Sequence, residues 1–354
     1  MAAPFSSPAV FVSSLGAGMS SSKLIDFVLR AAWLAALIAV PAAVAIPAGV
    51  AGTDAAPVQT LEVQTLEVQT LEVQTLEVQT LEVDGTRFKI TLADGRVLRS
   101  PDLIGANLLI DQGNRTLRVR LDGIETDPDD KRAEVADADR IWLHSLSVEA
   151  PDGSREPLCQ AGPDGRRQAI PVRGRFSVVD GRFAGGEAGA FELACTGGAM
   201  GKCIRFGYHP WQTRAWPALA LYRQAVNDRA ANERALQQQT DASSPSYLTL
   251  YNACLRMVRA DYGGDGNGTT RNGMRIDLYD ARGIEVPAND PRMAFEAGWT
   301  DAGAVCVNHP RVAENVALTD IAARWPSLAG KTGAICTEEF ARSLGALLYN
   351  RSVP

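Results

Sequence analysis

The residues of this chain with the clearest potential for chemistry lie in one glycine-rich polar loop, residues 261–268, which reads DYGGDGNG. A calcium loop needs oxygen ligands at alternate positions, a central glycine and a glutamate that closes the site. Asp261, Asp265 and Asn267 offer oxygen atoms, but Gly263 stands where the third-position ligand belongs and no glutamate closes the loop. The pattern therefore predicts a plain turn, with Asp261, Asp265 and Asn267 as a weak calcium candidate and no other metal site.

The same two carboxylates suggest a second chemistry, general acid and base catalysis. Asp261 and Asp265 would need a cleft that shifts their pKa values and a histidine partner, for which His209 and His309 are the candidates. These four residues would be the catalytic set of a hydrolase. The chain contains no Gly-x-Ser-x-Gly elbow, Walker loop, dinucleotide fingerprint or His-Glu-x-x-His motif. The sequence therefore predicts no cofactor and favours a protein that is not an enzyme.

An even number of cysteines in an exported chain favours three disulfide bonds. The six are Cys159, Cys195, Cys203, Cys254, Cys306 and Cys336. Cys195 and Cys203 flank a glycine-rich turn, so the simplest bridge for these two closes a hairpin, and the rest of the connectivity is left open. Two alternatives use free thiols: a zinc site of Cys195, Cys203 and His209, and a thiol nucleophile activated by His144, His209 or His309.

The N-terminal segment has the layout of an export signal. Lys23 and Arg30 precede the uncharged stretch Ala31–Thr53, in which a small-x-small sequence ends at Ala45. Residues 1–45 are therefore predicted to be a signal peptide cleaved near Ala45. An uncleaved membrane anchor is the alternative, because the stretch approaches the ~20 residues that a bilayer requires. Residues 46–58 are predicted to be a linker, and the remainder is expected in the periplasm, the cell envelope or the extracellular space.

The charge balance excludes one class of partner. The 354 residues carry 35 Lys and Arg against 41 Asp and Glu, a formal net charge of −6. No basic field is available to hold a phosphate backbone, so nucleic-acid binding is not expected. Other partners are unknown, and membrane contact is expected only through an uncleaved N-terminal segment. A hydrophobic share of 46% with 21% charged residues is ordinary for a chain that buries a core.

Residues 59–83 are five identical copies of the pentapeptide QTLEV. On a helix the leucines of successive copies lie about 140° apart, and on a strand an odd period turns successive copies to opposite faces. Neither conformation gives the array one buried side, so it is predicted to be a spacer whose last copy joins the domain. The alternative is a surface stalk or a sticky β segment, because the repeat has strand propensity and lacks proline and glycine.

The elements that position these residues are predicted to form an α+β fold. Between residues 84 and 200, Asp-Gly pairs separate short alternating runs, which indicates an antiparallel β-rich N-terminal half, a sandwich or open barrel. Between 201 and 354 the pattern predicts a mixed helical, disulfide-containing half. The predicted strands are Arg87–Leu92, Arg96–Leu98, Leu108–Ile110, Thr116–Leu121, Ile141–Val148, Arg173–Val179, Ala190–Ala194, Arg275–Tyr279 and Ala304–Val307. The predicted helices are Trp216–Gln239, Ser246–Arg259, Glu314–Ala323 and Thr337–Leu348.

Residues 254–266, CLRMVRADYGGDG, resemble the signature of the bacterial ADYC domain, a family named after Ala-Asp-Tyr-Cys. Supporting pieces occur in the same order along the chain. They are Gly95–Leu103, Trp142–His144, Gly201–Trp211, Ile276–Asp280, Phe295–Trp299, Gly303–Val307 and Cys336–Glu339. The resemblance covers roughly Val83 to Ser352. It implies a domain of unknown function in exported bacterial proteins, so it supports export and names no reaction.

One position departs from the family name, because Gly263 follows Ala260-Asp261-Tyr262 where the family has cysteine. If that cysteine is a nucleophile or a metal ligand, this copy is expected to be inactive. If it forms a disulfide, its partner must be missing too, and the even count of six agrees with that. The sequence thus predicts an exported, disulfide-stabilised binding or structural module of the envelope or the extracellular space. The alternative is an exported hydrolase that uses Asp261 and Asp265 with a histidine.

Overall fold

The computed structural model describes residues 59–64, 73–111, 116–130, 140–150, 152–186, 190–212 and 245–354. Strands dominate these residues up to Cys195 and helices join them afterwards, which confirms the predicted α+β class. The predicted signal peptide or anchor, the linker 46–58 and the helix Trp216–Gln239 lie outside the described residues. Across the ranges given above, no helix is long and apolar enough to cross a membrane.

One large antiparallel sheet forms most of the N-terminal half. The strands in the described part of this half are β1 (Gln59–Gln64), β2 (Val73–Asp84), β3 (Arg87–Leu92), β4 (Val97–Arg99), β5 (Asn107–Asp111), β6 (Thr116–Thr126), β7 (Trp142–Glu149), β8 (Arg155–Pro157), β9 (Ala169–Arg173), β10 (Arg175–Phe176), β11 (Phe183–Ala184) and β12 (Phe191–Cys195). Their order in the sheet is β12-β9-β7-β6-β5-β1-β2-β3-β4, with β8 beside β7. Strands β10 and β11 form a separate hairpin. The predicted strand Arg173–Val179 is therefore wrong, because β9 ends at Arg173 and β10 covers only Arg175–Phe176.

Alternating burial explains why these runs form strands. Along β3, Phe88, Ile90 and Leu92 are buried, and the residues between them are half exposed. Gly85 supplies the positive φ, 62°, that the tight turn from β2 into β3 requires. The ring of Phe88 meets that of Phe191 on β12 at 5.7 Å between centroids. The sheet therefore curls until strands near its two ends share one core, as in a partly open barrel.

The repeat array departs from its prediction as a spacer, because it supplies strands β1 and β2. The two strands pair antiparallel, with Leu61 opposite Leu76. Val78 and Val83 are both buried although they are five residues apart. A shift in the pairing of β2 with β3, between Val78 and Thr80, accounts for this, because one extra residue restores the buried face. A β-bulge thus compensates the odd period, and the strand propensity of the repeat prevails.

The C-terminal half packs four helices and a second antiparallel sheet around a shared core. The helices are α1 (Ala199–Arg205), α2 (Tyr247–Arg259), α3 (Leu318–Arg324) and α4 (Glu338–Ser343), and the strands are β13 (Asp277–Asp280), β14 (Ala294–Thr300), β15 (Gly303–Val307) and β16 (Leu348–Ser352), all within the described residues. The strand order is β13-β16-β14-β15. Helix α2 lies between this sheet and α1, and its residues belong to the core that joins the two halves.

Helix boundaries follow local capping signals. Ser246 caps α2, because its Oγ accepts a hydrogen bond from the Thr249 N–H group at 3.1 Å. The predicted helix Ser246–Arg259 agrees with this element. The predicted helix Thr337–Leu348 is too long, because Gly345 takes a φ of 81° after α4 and the chain continues into β16. The predicted helix Glu314–Ala323 begins too early, since α3 starts only at Leu318.

Three disulfides join all six cysteines. The pairs are Cys159–Cys195, Cys203–Cys254 and Cys306–Cys336. The predicted bridge between Cys195 and Cys203 is therefore wrong. The segment between these two residues starts helix α1 instead of closing a hairpin, which turns Cys203 towards Cys254 on α2. None of the six sulfur atoms is available as a thiolate for zinc or for nucleophilic catalysis.

We expect the bridge between α1 and α2 to contribute strongly to stability. Replacing Cys203 and Cys254 together with alanine should lower the free energy of unfolding by about 2 to 4 kcal/mol. Without the bridge, the unfolded chain is no longer restricted by a long closed loop and gains conformational entropy. Both residues are fully buried, so alanine avoids placing a hydroxyl group in the core. Urea denaturation of the double variant and the wild type measures the difference. Equal transition midpoints and slopes would contradict this expectation.

Candidate functional site

The end of helix α2 positions Asp261. Ala260 takes the left-handed conformation, with φ of 50°, and directs the chain back towards the helix. Arg256 Nη1 then donates to Asp261 Oδ2 at 2.6 Å. The N–H group of Gly266 donates to the same oxygen at 3.0 Å, and that of Asp265 donates to Oδ1 at 3.1 Å. Because Asp261 is fully buried, its carboxylate holds this loop closed from inside.

Asp265 lies on the outer side of the same loop. Its Oδ1 accepts a hydrogen bond from the Asn267 N–H group at 2.9 Å, and its Oδ2 accepts one from Trp325 Nε1 at 3.0 Å. Burial alone would raise the pKa of Asp265, but these hydrogen bonds together lower it. For Asp261, burial raises the pKa, although Arg256 opposes the shift. The two environments therefore shift the pKa values of the two carboxyl groups in opposite directions.

This geometry offers little to a cation. The carboxylate oxygens of Asp261 and Asp265 face N–H donors, so calcium would have to displace hydrogen bonds that close the loop. Asn267 contributes its backbone N–H group to Asp265, which is a donor contact. In the part of the chain that the structure describes, no group of three or more His, Cys, Asp or Glu side chains could hold a metal ion.

Tyr262 stands at the centre of a buried polar network that also contains Glu296, Arg311, Asn350 and Trp299. Its hydroxyl group donates to Glu296 Oε1 at 3.0 Å and accepts from the Arg311 N–H group at 2.8 Å. Arg311 Nε and Nη2 donate to the two oxygens of Glu296, each at 3.0 Å. Asn350 donates to Glu296 Oε2 at 2.7 Å and accepts from Trp299 Nε1 at 2.7 Å. We call these five residues the Tyr262 network.

The network ties α2 to the second sheet. Arg311 Nη1 and Nη2 also donate to the carbonyl oxygens of Val258 and Met257 in the last turn of α2, at 3.0 Å and 2.8 Å. The rings of Tyr262 and Trp299 stack with centroids 5.3 Å apart. Burial raises the pKa of Tyr262 well above its ordinary value, and the charge of Glu296 adds to this. Tyr262 therefore stays a neutral phenol, whose hydroxyl group donates a hydrogen bond to Glu296.

Gly263 lies against the indole of Trp325. A Cβ atom at Gly263 would stand 2.0 Å from Trp325 Nε1, so the loop admits no side chain here while the indole keeps its place. The neighbouring Gly264 has a φ of 68°, and a Cβ atom there would meet the carbonyl oxygen of Ala302. The two glycines thus let the loop pass between Trp325 and the turn that joins β14 to β15.

The histidines proposed from sequence as partners of the aspartates make other contacts. His209 is fully buried, lies 3.1 Å from the carbonyl oxygen of Ile204 through Nε2, and stacks on Trp211 at 4.7 Å between centroids. His309 Nε2 lies 3.0 Å from Ser352 Oγ. Ser352 is itself fully buried in β16, so its hydroxyl group cannot reach a substrate. The structure thus brings Asp261 and Asp265 together in one loop and places His309 in a different contact.

His144 on β7 is a buried neutral imidazole. Its Nε2 lies 2.8 Å from Ser100 Oγ, which already accepts a hydrogen bond from the Phe88 N–H group. The Ser100 hydroxyl proton can therefore be donated to an unprotonated Nε2. Burial lowers the pKa of His144 from 6.5 to about 4. Between these two pH values His144 is protonated in the unfolded chain and neutral in the folded protein. The free energy of unfolding therefore rises with pH across this window.

We therefore expect His144 to make the fold acid-sensitive. Lowering the pH from about 7.5 to about 5 should cost about 2 kcal/mol through this residue alone. The variant His144→Gln should lose that part of the pH dependence, whereas other titrations remain common to both proteins. Urea denaturation of both proteins at the two pH values isolates the difference. If the stability gap between them does not change with pH, His144 is not held neutral by burial.

The residues that complete this site are not apparent from sequence alone. Glu296, Arg311 and Asn350 lie far apart along the chain, and Arg256 sits inside a helix that reads as a core helix. One signal was available at Glu296, which is a single charge inside the apolar strand Ala294–Thr300. A charged residue on a buried strand requires a partner, but the sequence does not say which one.

Comparison with known proteins adds one finding. A model of the ADYC domain family matches residues 100–313, which include α2, the loop with Asp261 and most of the Tyr262 network. No curated protein and no solved structure shows a significant match to the chain.

Proposed function

The chain belongs to the ADYC domain family, and from this premise we propose that it is an exported, disulfide-stabilised module with a binding or structural role. The observation that carries the proposal is the state of the motif itself. The carboxylate of Asp261 is hydrogen-bonded to Arg256 and to the loop backbone. The hydroxyl group of Tyr262 is hydrogen-bonded to Glu296 and to the Arg311 N–H group. Groups bonded in this way stabilise a core and are not free to take up a substrate.

Export is supported by the cysteines and by the N-terminal sequence. Three disulfides engage every cysteine of the chain, and such bonds are typical of oxidising compartments outside the cytoplasm. The uncharged stretch Ala31–Thr53 after Lys23 and Arg30 has the layout of an export signal or a membrane anchor, which supports the same proposal. We propose the periplasm, the cell envelope or the extracellular space of a bacterium as the location.

The alternative function, a hydrolase that uses Asp261 and Asp265 with a histidine, has less support. Asp261 is fully buried and paired with Arg256, so its carboxylate is not exposed to a substrate. The contact between His309 and Ser352 has the elements of a base and a nucleophile. Ser352, however, is fully buried. A structural role accounts for all of these contacts.

We further propose that the absence of the signature cysteine is structural. The side chain that a cysteine would place at Gly263 and the indole of Trp325 compete for the same volume. Trp325 Nε1 in turn donates to Asp265, so the indole supports the loop where the cysteine is missing. In this interpretation the motif works without the sulfur atom.

The mass of the exported protein tests the location and the disulfides together. The full chain is expressed for export, recovered, and alkylated with and without prior reduction. We expect no alkylation before reduction and six alkylated cysteines after it, with an N-terminus near residue 46 if the signal is cleaved. The Cys203→Ala/Cys254→Ala variant is the matched control and should take up two fewer groups after reduction. Two or more reactive thiols in the unreduced wild type would contradict the proposal.

A further inference from the structure

Strand β1 lies between β5 and β2 in the large sheet. It pairs with β2 along its whole length, from Gln59 opposite Val78 to Gln64 opposite Val73. It meets β5 only at Glu62, opposite Asn107. Its link to the rest of the described chain is the eight residues 65–72, which connect it to β2. We call the position between β2 and β5 the β1 slot.

The β1 slot cannot distinguish its own strand from that of a second molecule, because every copy of this chain carries the same strand, QTLEVQ. The backbone pairing with β2 would be the same whether the strand came from the same molecule or from a second one. Only the linker 65–72 favours the intramolecular strand, because it holds β1 at a millimolar effective concentration.

We propose that the β1 slot accepts β1 from a second copy of this chain, so that two molecules exchange their first repeat. An exchange in both directions fills both slots and leaves no new free edge, which closes a symmetric dimer. The register of β2 stays fixed throughout, because the turn at Gly85 joins it to β3. The exchanged dimer therefore differs from two monomers in the path of the linkers and in the entropy of association.

Shortening the linker should shift this equilibrium. Deletion of Gln64–Val68 removes one repeat and keeps the sequence QTLEVQ for the slot, but it leaves only Thr70, Leu71 and Glu72 to make the turn. Three-residue hairpin loops use a left-handed residue, normally glycine, which this loop lacks. Strained short hinges favour strand exchange. We expect the deletion variant to sediment as a dimer at concentrations where the wild type is a monomer, and a five-residue Gly-Ser insertion after Gln69 of that variant to restore the monomer.

Cross-linking tests the exchange in the full chain, without relying on the deletion variant to fold. One chain carries Leu61→Cys and a second carries Leu76→Cys, which are paired positions of β1 and β2. The two are mixed, concentrated and oxidised, and a Leu61→Cys chain mixed with Val179→Cys, an exposed position in the loop between β10 and β11, is the control. We expect the paired positions to give more mixed dimer than the control, and the yield to rise with protein concentration. Equal yields, or a folded deletion variant that stays monomeric, would overturn the proposal.

Discussion

The variant Arg311→Met should lower the free energy of unfolding by about 3 to 5 kcal/mol, because it removes one partner of a buried ion pair. Arg311 and Glu296 are both fully buried and are joined by two hydrogen bonds of 3.0 Å. Methionine fills a similar volume, but it leaves the carboxylate of Glu296 without a countercharge. It also removes the guanidinium donors from two carbonyl groups at the end of α2. Chemical denaturation with urea measures the loss.

Two further variants separate this effect from the loss of any surface charge. Arg342→Met breaks an exposed ion pair with Glu338 and should change the free energy of unfolding by less than about 1 kcal/mol. Glu296→Gln in the Arg311→Met background should recover part of the loss, because the neutral amide removes the unpaired charge, and its one carbonyl oxygen can still accept a hydrogen bond from Tyr262 or from Asn350. If Arg311→Met costs no more than Arg342→Met, the Tyr262 network does not stabilise the fold.

The parts of the fold that follow from local pattern could be predicted from the sequence. Helix α2 follows from apolar residues at helical spacing after a serine cap, and β3 from strict alternation before an Asp-Gly turn. Strand β2 could not be predicted from the repeat alone, because its burial depends on a bulge that only the pairing with β3 creates. Strand β16 was hidden behind an apparent continuation of α4, although Gly345 marked the end of that helix.

The candidate site could be predicted only in part, for a related reason. The sequence places Asp261 and Asp265 in one loop, and the structure agrees. It cannot show that Asp261 turns inward to Arg256 while Asp265 stays outside, because that choice depends on the left-handed Ala260 and on the position of Trp325. Partners such as Glu296 and Asn350, 54 residues apart in sequence, meet only because β14 and β16 are neighbours. Pairing of distant strands is information that a single sequence does not contain.

We propose that the polar motif around Asp261 and Tyr262 builds the core of this protein instead of a reactive site, and Asp261 offers the sharpest test. In Asp261→Ala the buried guanidinium of Arg256 loses its carboxylate, and two N–H groups of the loop lose their acceptor. Removing one partner of a buried ion pair costs about 3 to 5 kcal/mol. Asp265→Ala is the matched control in the same loop. It removes two hydrogen bonds at an exposed residue and should cost about 1 to 2 kcal/mol.

A catalytic aspartate behaves in the opposite way. Residues kept for activity often destabilise the fold, and their replacement leaves stability unchanged or raises it. The decisive measurement is therefore the free energy of unfolding of Asp261→Ala and Asp265→Ala beside the wild type, by urea denaturation at neutral pH. The structural account predicts a loss for Asp261→Ala that clearly exceeds the loss for Asp265→Ala. A folded Asp261→Ala protein that is as stable as the wild type, or more stable, would contradict it.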